Sequence, residues 1–222
     1  LDFVAQWEGE AYTFEDYDAF PTYDKNQVFL VDSPSAVQSV VYIVKRSLPF
    51  DATGDYFKSR LVNFPLGGGF NSRINLMGGK TLGWFEVGTD LTAANTAEGI
   101  TEVFNEINQY IDKGATDEEI QFMRNAFTLS DALEFETPNS KARFLRQLQS
   151  YGLEKGYRTE QIEIINSISK DEINALAKQY LSTDALQVIV VGDKNAILEQ
   201  LESLNMPIIE LSVDTNSREQ IN

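Results

Sequence analysis

Residues 66–74 read LGGGFNSRI, a run of three glycines followed by an aromatic residue, two polar residues and an arginine. A phosphate-binding loop would continue with Gly-Lys-Ser/Thr and would follow a strand, whereas the residues before this run have helical spacing. Glycine backbone can adopt positive φ angles or approach another chain closely. We therefore interpret the run as the mouth of a short helix. Arg73, just after it, either binds a carboxylate or fixes a loop.

The segments on either side of the glycine run have strand and helix patterns. Apolar runs at 28–31 and 38–46 predict two strands. A helix follows from about residue 55 and is predicted to stop near Pro65, because proline disfavours a helical conformation in the residue before it. Alternation over 81–91 predicts a half-buried strand.

The middle of the chain is predicted to be helical. Apolar residues recur at helical spacing over 94–111. Residues 116–119 and 169–172 are capping boxes, in which a hydroxyl and a glutamate each bind a backbone amide at the start of a helix. Thr137 and Pro138 start another helix, since proline at the first helical position loses no hydrogen bond.

A buried strand at 186–191, a short helix and an edge strand at 208–211 complete the pattern. Strands followed by helices and then a strand predict an α+β fold, a mostly antiparallel sheet with helices packed on one face. We assign residues 25–214 to a single domain, residues 1–24 to an extended lead-in or linker, and residues 215–222 to a frayed tail. The chain reads as a fragment of a longer polypeptide.

The formal net charge is −16, from 34 acidic and 18 basic residues. Nucleic acid and anionic lipid would be repelled by such a surface, so neither is a predicted partner. Basic ligands are favoured, although an acidic surface also simply keeps a protein soluble. No apolar run approaches the ~18 residues of a membrane span, so membrane insertion is not predicted.

The sequence contains no histidine and no cysteine. A zinc hydrolase site needs imidazole or thiolate ligands, and a Ser-His-Asp triad needs histidine, so this chain is predicted to hold neither a metal nor a catalytic residue. Carboxylates alone suit calcium or magnesium, but no D-x-D-x-D-G loop gathers them. The acidic clusters at 117–119 and 171–172 lie in the first turns of predicted helices, where the helix dipole stabilises negative charge.

Five pieces of the chain occur in an order that resembles the pitrilysin, insulysin and mitochondrial processing peptidase family of zinc peptidases. They are Gln38-Ser39 with the strand that follows, the LGGGFNSRI segment, the long helix from Ala93, the turn and helix start at 114–120, and the closing segment at 169–193. Each motif is modest alone, and the ordered set is fairly specific. The resemblance covers roughly residues 28–193.

The resemblance implies an enzyme built from duplicated domains that enclose a chamber, in which the leading domain supplies an H-x-x-E-H zinc motif. This chain lacks that motif and resembles the later, C-terminal or inactive domain. It would be the non-catalytic, substrate-chamber domain of a zinc-dependent metalloendopeptidase acting on peptides. Its implied partners are a peptide substrate and a preceding zinc-binding domain or partner subunit that holds the zinc. The residues we assign to substrate binding are Gly67, Gly68, Gly69, Phe70, Asn71, Ser72, Arg73 and Trp84.

Members of that family commonly carry an arginine and a tyrosine in this domain, at the spacing that Met77 and Trp84 have here. Two explanations stay open. Either this copy has lost the pair, or a hairpin that bears it is absent between Leu76 and Met77. The second is favoured, because the stretch between the glycine run and the strand containing Trp84 is shorter than in the family.

Two other functions compete with the peptidase-domain interpretation. The same fold could serve as a catalytically inactive scaffold or peptide-binding module. A stand-alone enzyme that uses carboxylates or Arg73 is the third alternative.

Overall fold

The computed structural model describes residues 22–68, 73–133 and 137–212. Within them six strands form one sheet: β1 (Gln27–Asp32), β2 (Gln38–Ser47), β3 (Arg73–Gly78), β4 (Gly83–Thr92), β5 (Gln187–Gly192) and β6 (Ile208–Leu211). The seven helices there are α1 (Asp55–Gly68), α2 (Thr96–Lys113), α3 (Asp117–Leu133), α4 (Pro138–Tyr151), α5 (Tyr157–Ser167), α6 (Lys170–Tyr180) and α7 (Lys194–Glu202).

The sheet has the strand order β3-β4-β2-β5-β1-β6. Its β3/β4, β4/β2 and β2/β5 pairs are antiparallel, whereas β5/β1 and β1/β6 are parallel. The α+β class is confirmed, but the sheet is mixed rather than mostly antiparallel. Parallel neighbours need long crossover connections. The chain supplies them, because the whole helical region separates β1 from β5, and α7 joins β5 to β6 on the far side of β1.

Side chains alternate between the two sides of the sheet. Val28, Leu30, Val41 and Ile43 are fully buried on the side that faces the helices. They form one core cluster with apolar residues of the helices, including Leu61 and Ile100. The prediction that the helices pack on one face is therefore confirmed.

Local sequence signals determine most of the helix starts. The Ser169 hydroxyl accepts a hydrogen bond from the amide of Glu172 at 3.1 Å, and the Glu172 carboxylate accepts one from the amide of Ser169. Thr116 and Glu119 make the same reciprocal pair. The Thr137 hydroxyl caps α4 by accepting from the amide of Ser140. All three predicted starts are confirmed.

Three features differ from the prediction. Helix α1 continues past Pro65 to Gly68, because a proline near the end of a helix interrupts only one hydrogen bond and one turn can still form beyond it. Strand β3 and helix α5 were not predicted. The buried stripe of α5 consists of Tyr157, Gln161 and Ile165, so a glutamine interrupts its apolar period.

Candidate functional site at the β3–β4 hairpin and the open sheet face

Helix α1 leads directly into the glycine run. Its residues Leu61, Val62 and Leu66 are buried in the core. Pro65 lacks an N–H group and so cannot bond the carbonyl of Leu61 in the turn before it. The hydroxyl of Tyr110, on α2, donates a hydrogen bond of 2.9 Å to the neighbouring carbonyl of Val62. This buried bond fixes the last turns of α1 where the proline weakens them.

The start of α1 is held from the opposite side by α6. The hydroxyl of Tyr180 donates to the carboxylate of Asp55, and this hydrogen bond raises the pKa of Tyr180. Lys58 and Glu172 form an ion pair at 3.6 Å between the same two helices. Both ends of α1 are therefore attached to the helical layer, so the backbone enters the glycine run from a fixed position.

The predicted substrate-binding residues fall into three groups. Gly67 and Gly68 form the end of α1, and Arg73 is the first residue of β3, in register with Gly88 of β4. Trp84 lies on β4 and is 37% exposed. The remaining four, Gly69, Phe70, Asn71 and Ser72, lie outside the described residues.

Strands β3 and β4 form a hairpin that is continuous in register. Leu76 pairs with Phe85 and Met77 with Trp84, so the backbone passes through the Leu76–Met77 junction without a bulge. The amide of Gly79 donates to the carbonyl of Leu82 at 2.8 Å and closes the loop. Arg73 precedes Met77 by four residues, which places the two Cα atoms about 13 Å apart along the strand.

The hairpin loop is packed tightly against the segment that follows β2. A Cβ atom added at Gly83 would lie 1.7 Å from the carbonyl oxygen of Leu48, and one added at Gly78 would lie 2.5 Å from the ring of Tyr56. The amide of Phe50 donates to the carbonyl of Gly79 at 2.8 Å. Glycine is therefore required at both ends of the loop because neighbouring groups leave no room for a side chain.

The side of the sheet that faces away from the helices, here called the open face, is apolar and uncovered by the described helices. Val40 and Tyr42 of β2 are 38% and 42% exposed. Four further large apolar side chains on this side are exposed on β3, β4 and β6, namely Met77, Trp84, Ile209 and Leu211. An apolar surface that extends across a whole sheet is typical of an interaction site rather than of an ordinary solvated surface.

One end of the open face forms a cleft of about 410 Å³. Its walls include Tyr23, Val44, Trp84 and Gln187, and Arg46 and Glu86 bring one charge of each sign. Arg46 pairs in register with Trp84 and lies diagonally from Glu86 on the same side of the sheet. Arg46 makes no ion pair with any acidic residue in the described part of the chain.

Two polar side chains at the cleft are constrained by burial. Gln187 is 5% exposed, and its amide group donates to the carbonyls of Lys25 and Ala185 at 3.1 and 3.0 Å. Its Oε1 atom is buried and accepts no hydrogen bond from a described residue. Burial lowers the pKa of Lys45, although Asp184 opposes the shift.

The described residues do not fit a zinc site. No group of three acidic side chains within ranges 22–68, 73–133 and 137–212 is arranged to hold a metal ion. The sequence has neither the histidine nor the cysteine ligands that zinc prefers. No helix in the described ranges is long and apolar enough to cross a membrane.

The chain was compared with known proteins. No family model and no curated protein matches it. Among solved structures, the peptidase M16 inactive domain from Pseudomonas fluorescens matches with a TM-score of 0.69 at 16% identity over 78% of this chain and 45% of that one. A protease from Helicobacter pylori matches with a TM-score of 0.72 at 11% identity, over 83% of this chain and 48% of that one.

This chain has the fold of the M16 peptidase inactive domain. A predicted protease of the insulinase family from Yersinia pestis has the same fold, with a TM-score of 0.61 at 14% identity over 90% of this chain and 50% of that one. The resemblance to the pitrilysin and insulysin family is thus confirmed at the level of the fold. The chain spans about half of the length of these three proteins.

The structure brings together at the cleft residues that the sequence did not indicate as site residues. Val44, Arg46 and Gln187 line the cleft but were interpreted only as parts of strands. For Val44, the signal is the composition of β2, which is apolar at both odd and even positions. Such a strand is normally covered on both sides.

Proposed function

We propose that this chain is the non-catalytic, substrate-chamber domain of a zinc-dependent metalloendopeptidase, and that another domain supplies the zinc. The observation that carries the proposal is an M16 fold in a chain without zinc ligands that spans about half the length of its structural neighbours. Residues 25–214 would form this domain, and residues 1–24 would lead into it from the preceding one.

We assign the peptide to the outer edge of β3. One side of this strand pairs with β4, and its other side pairs with no described strand. An extended peptide can add to such an edge through backbone hydrogen bonds. The strand begins at Arg73, four residues after the last glycine of the run, so both predicted elements would contact the same peptide.

We assign the zinc-binding domain to the end of the open face away from the cleft. Val40, Tyr42, Ile209 and Leu211 expose apolar side chains there. An interface between domains of one chain buries apolar surface of this kind. The cleft end remains outside this contact.

Two measurements on the purified chain test the proposal. The chain should bind no stoichiometric zinc by elemental analysis and should cleave no casein-derived peptides. In hydrogen–deuterium exchange with those peptides, the amides of β3 should be protected, whereas those of β6, at the other edge of the sheet, should be unchanged. Zinc near one equivalent with EDTA-sensitive proteolysis would disprove the assignment of zinc to another domain. Unprotected β3 amides would disprove the assigned peptide edge.

An inactive scaffold or peptide-binding module is the second candidate. It is favoured by Met77 and Trp84, which are cross-strand partners at the spacing of the family's arginine and tyrosine. The coding sequence upstream distinguishes the two functions. An H-x-x-E-H motif there or in an adjacent gene supports the peptidase, and its absence supports the scaffold.

A further inference from the structure

The cleft on the open face has a specific chemical character. Apolar walls from Val44, Leu82 and Trp84 surround the charged residues Lys45, Arg46 and Glu86, whose formal charges sum to +1. Arg46 makes no ion pair with a described acidic residue. The buried Oε1 atom of Gln187 accepts no hydrogen bond from a described group. The complementary ligand is a peptide with aromatic and acidic side chains.

The sequence of this chain contains such a peptide next to the cleft. Residues 1–21 include six aromatic residues, six acidic residues and no lysine or arginine. The residues that directly follow, Thr22 and Tyr23, already line the cleft. The ring of Tyr23 also packs edge-to-face on Phe29 of β1, with centroids 6.1 Å apart. Residues 1–21 are therefore attached at the mouth of the cleft, which gives them a high effective concentration there.

We propose that residues 1–21 bind in the cleft end of the open face, with aromatic side chains against Trp84 and Val44 and acidic side chains near Arg46. This contact goes beyond the proposed peptidase function and needs neither zinc nor a second domain. A second copy of the chain is a poorer occupant, since it must be recruited from solution, whereas residues 1–21 are covalently joined to Thr22 at the cleft.

Tryptophan fluorescence tests the proposal directly, because Trp7 and Trp84 are the only two tryptophans. The Trp7→Phe variant reports on Trp84 alone and retains the segment, whereas deletion of residues 1–21 removes the segment together with Trp7. We expect acrylamide to quench Trp84 about twofold more strongly in the deletion variant, with a red-shifted emission, because a docked segment excludes solvent from the indole. A synthetic peptide of residues 1–21 with phenylalanine in place of Trp7 should reverse both changes.

A charge variant provides the second test in case the deletion variant does not fold. Arg46→Glu in the Trp7→Phe background should increase quenching of Trp84 in the same direction. Lys141→Glu, which changes an exposed residue of α4 by the same charge, is the matched control and should have no effect. Equal quenching of Trp84 in the Trp7→Phe, deletion and Arg46→Glu variants would overturn the proposal. If quenching of Trp84 decreases as the protein concentration is raised, the occupant is a second copy of the chain, and the proposal is also overturned.

Discussion

The hydrogen bond from Tyr110 to the carbonyl of Val62 leads to a quantitative prediction for Tyr110→Phe. The tyrosine is 8% exposed and the bond is 2.9 Å long. A buried hydrogen bond contributes about 1 kcal/mol, and a carbonyl left partly unsatisfied adds a penalty. The accepting carbonyl lies three residues before Pro65, where the helical ladder has already lost a donor. We expect the variant to lose about 1–2 kcal/mol of unfolding free energy.

Urea denaturation followed by circular dichroism measures this loss. The midpoint should decrease while the m-value stays constant, because the substitution leaves the surface exposed on unfolding unchanged. For a chain of this size the melting temperature should fall by about 2–8 °C. Amides in the last turn of α1 should also exchange faster, since the bond stabilises that turn locally.

Tyr42→Phe is the matched control. Tyr42 is 42% exposed on the open face, and its hydroxyl makes no hydrogen bond to a described residue. Its removal should change stability by less than about 0.5 kcal/mol. If the two variants lose the same free energy, the Tyr110 hydroxyl does not stabilise the proline-containing helix, and the reasoning is wrong.

Two further predictions concern pH and backbone packing. Burial raises the pKa of Tyr110 above its ordinary value of 10.0, so the unfolded chain releases this proton first. The stability advantage of the wild type over Tyr110→Phe should therefore be complete below pH 10 and decrease above it. Urea midpoints of both proteins at pH 8 to 11 measure this. A difference in midpoint that stays constant over this range would contradict the burial argument. Gly83→Ala places a Cβ atom 1.7 Å from the Leu48 carbonyl oxygen and should reduce the free energy of unfolding by more than about 3 kcal/mol, measured by thermal denaturation. Gly156→Ala is the control and should be neutral, because Gly156 has open space around it and a φ of −85°. Equal melting temperatures for the two variants would contradict the close packing at Gly83.

The features that the sequence predicted correctly are those that a few adjacent residues determine. A capping box such as Ser169 and Glu172 forms between residues three positions apart, so its spacing alone predicts a helix start. The buried face of β4 follows from apolar residues that alternate within the strand. Neither depends on contacts distant in the sequence.

Features that depend on distant contacts were missed. Val28 pairs with Val188 in the parallel β1/β5 ladder, and nothing near either residue specifies the direction of that pairing. Helix α5 has Gln161 in its buried stripe because the amide of that side chain donates to the carbonyl of Ala52, far away in the sequence. Among the described strands, β3 pairs with β4 alone. For these elements, contacts between residues distant in the sequence determine the secondary structure and the strand pairing.

The substrate-binding residues remain a prediction. Gly67 and Gly68 end α1, and Trp84 lies on the β3–β4 hairpin. The cleft was missed because it consists of side chains from strands distant in the sequence. Val44 pairs with both Glu86 and Gln187, so one position of β2 joins three strands at the floor of the cleft.

The charge of the whole chain is a poor guide to the ligand of this cleft. A net charge of −16 favours basic ligands on average, yet the cleft lining contains Lys45, Arg46 and Glu86, whose formal charges sum to +1. Exposed charges are screened over about 8–10 Å at physiological ionic strength, so most of the acidic surface contributes little there. A ligand at the cleft experiences mainly this local net charge of +1. The local arrangement therefore selects an acidic segment in a protein whose overall charge would repel it.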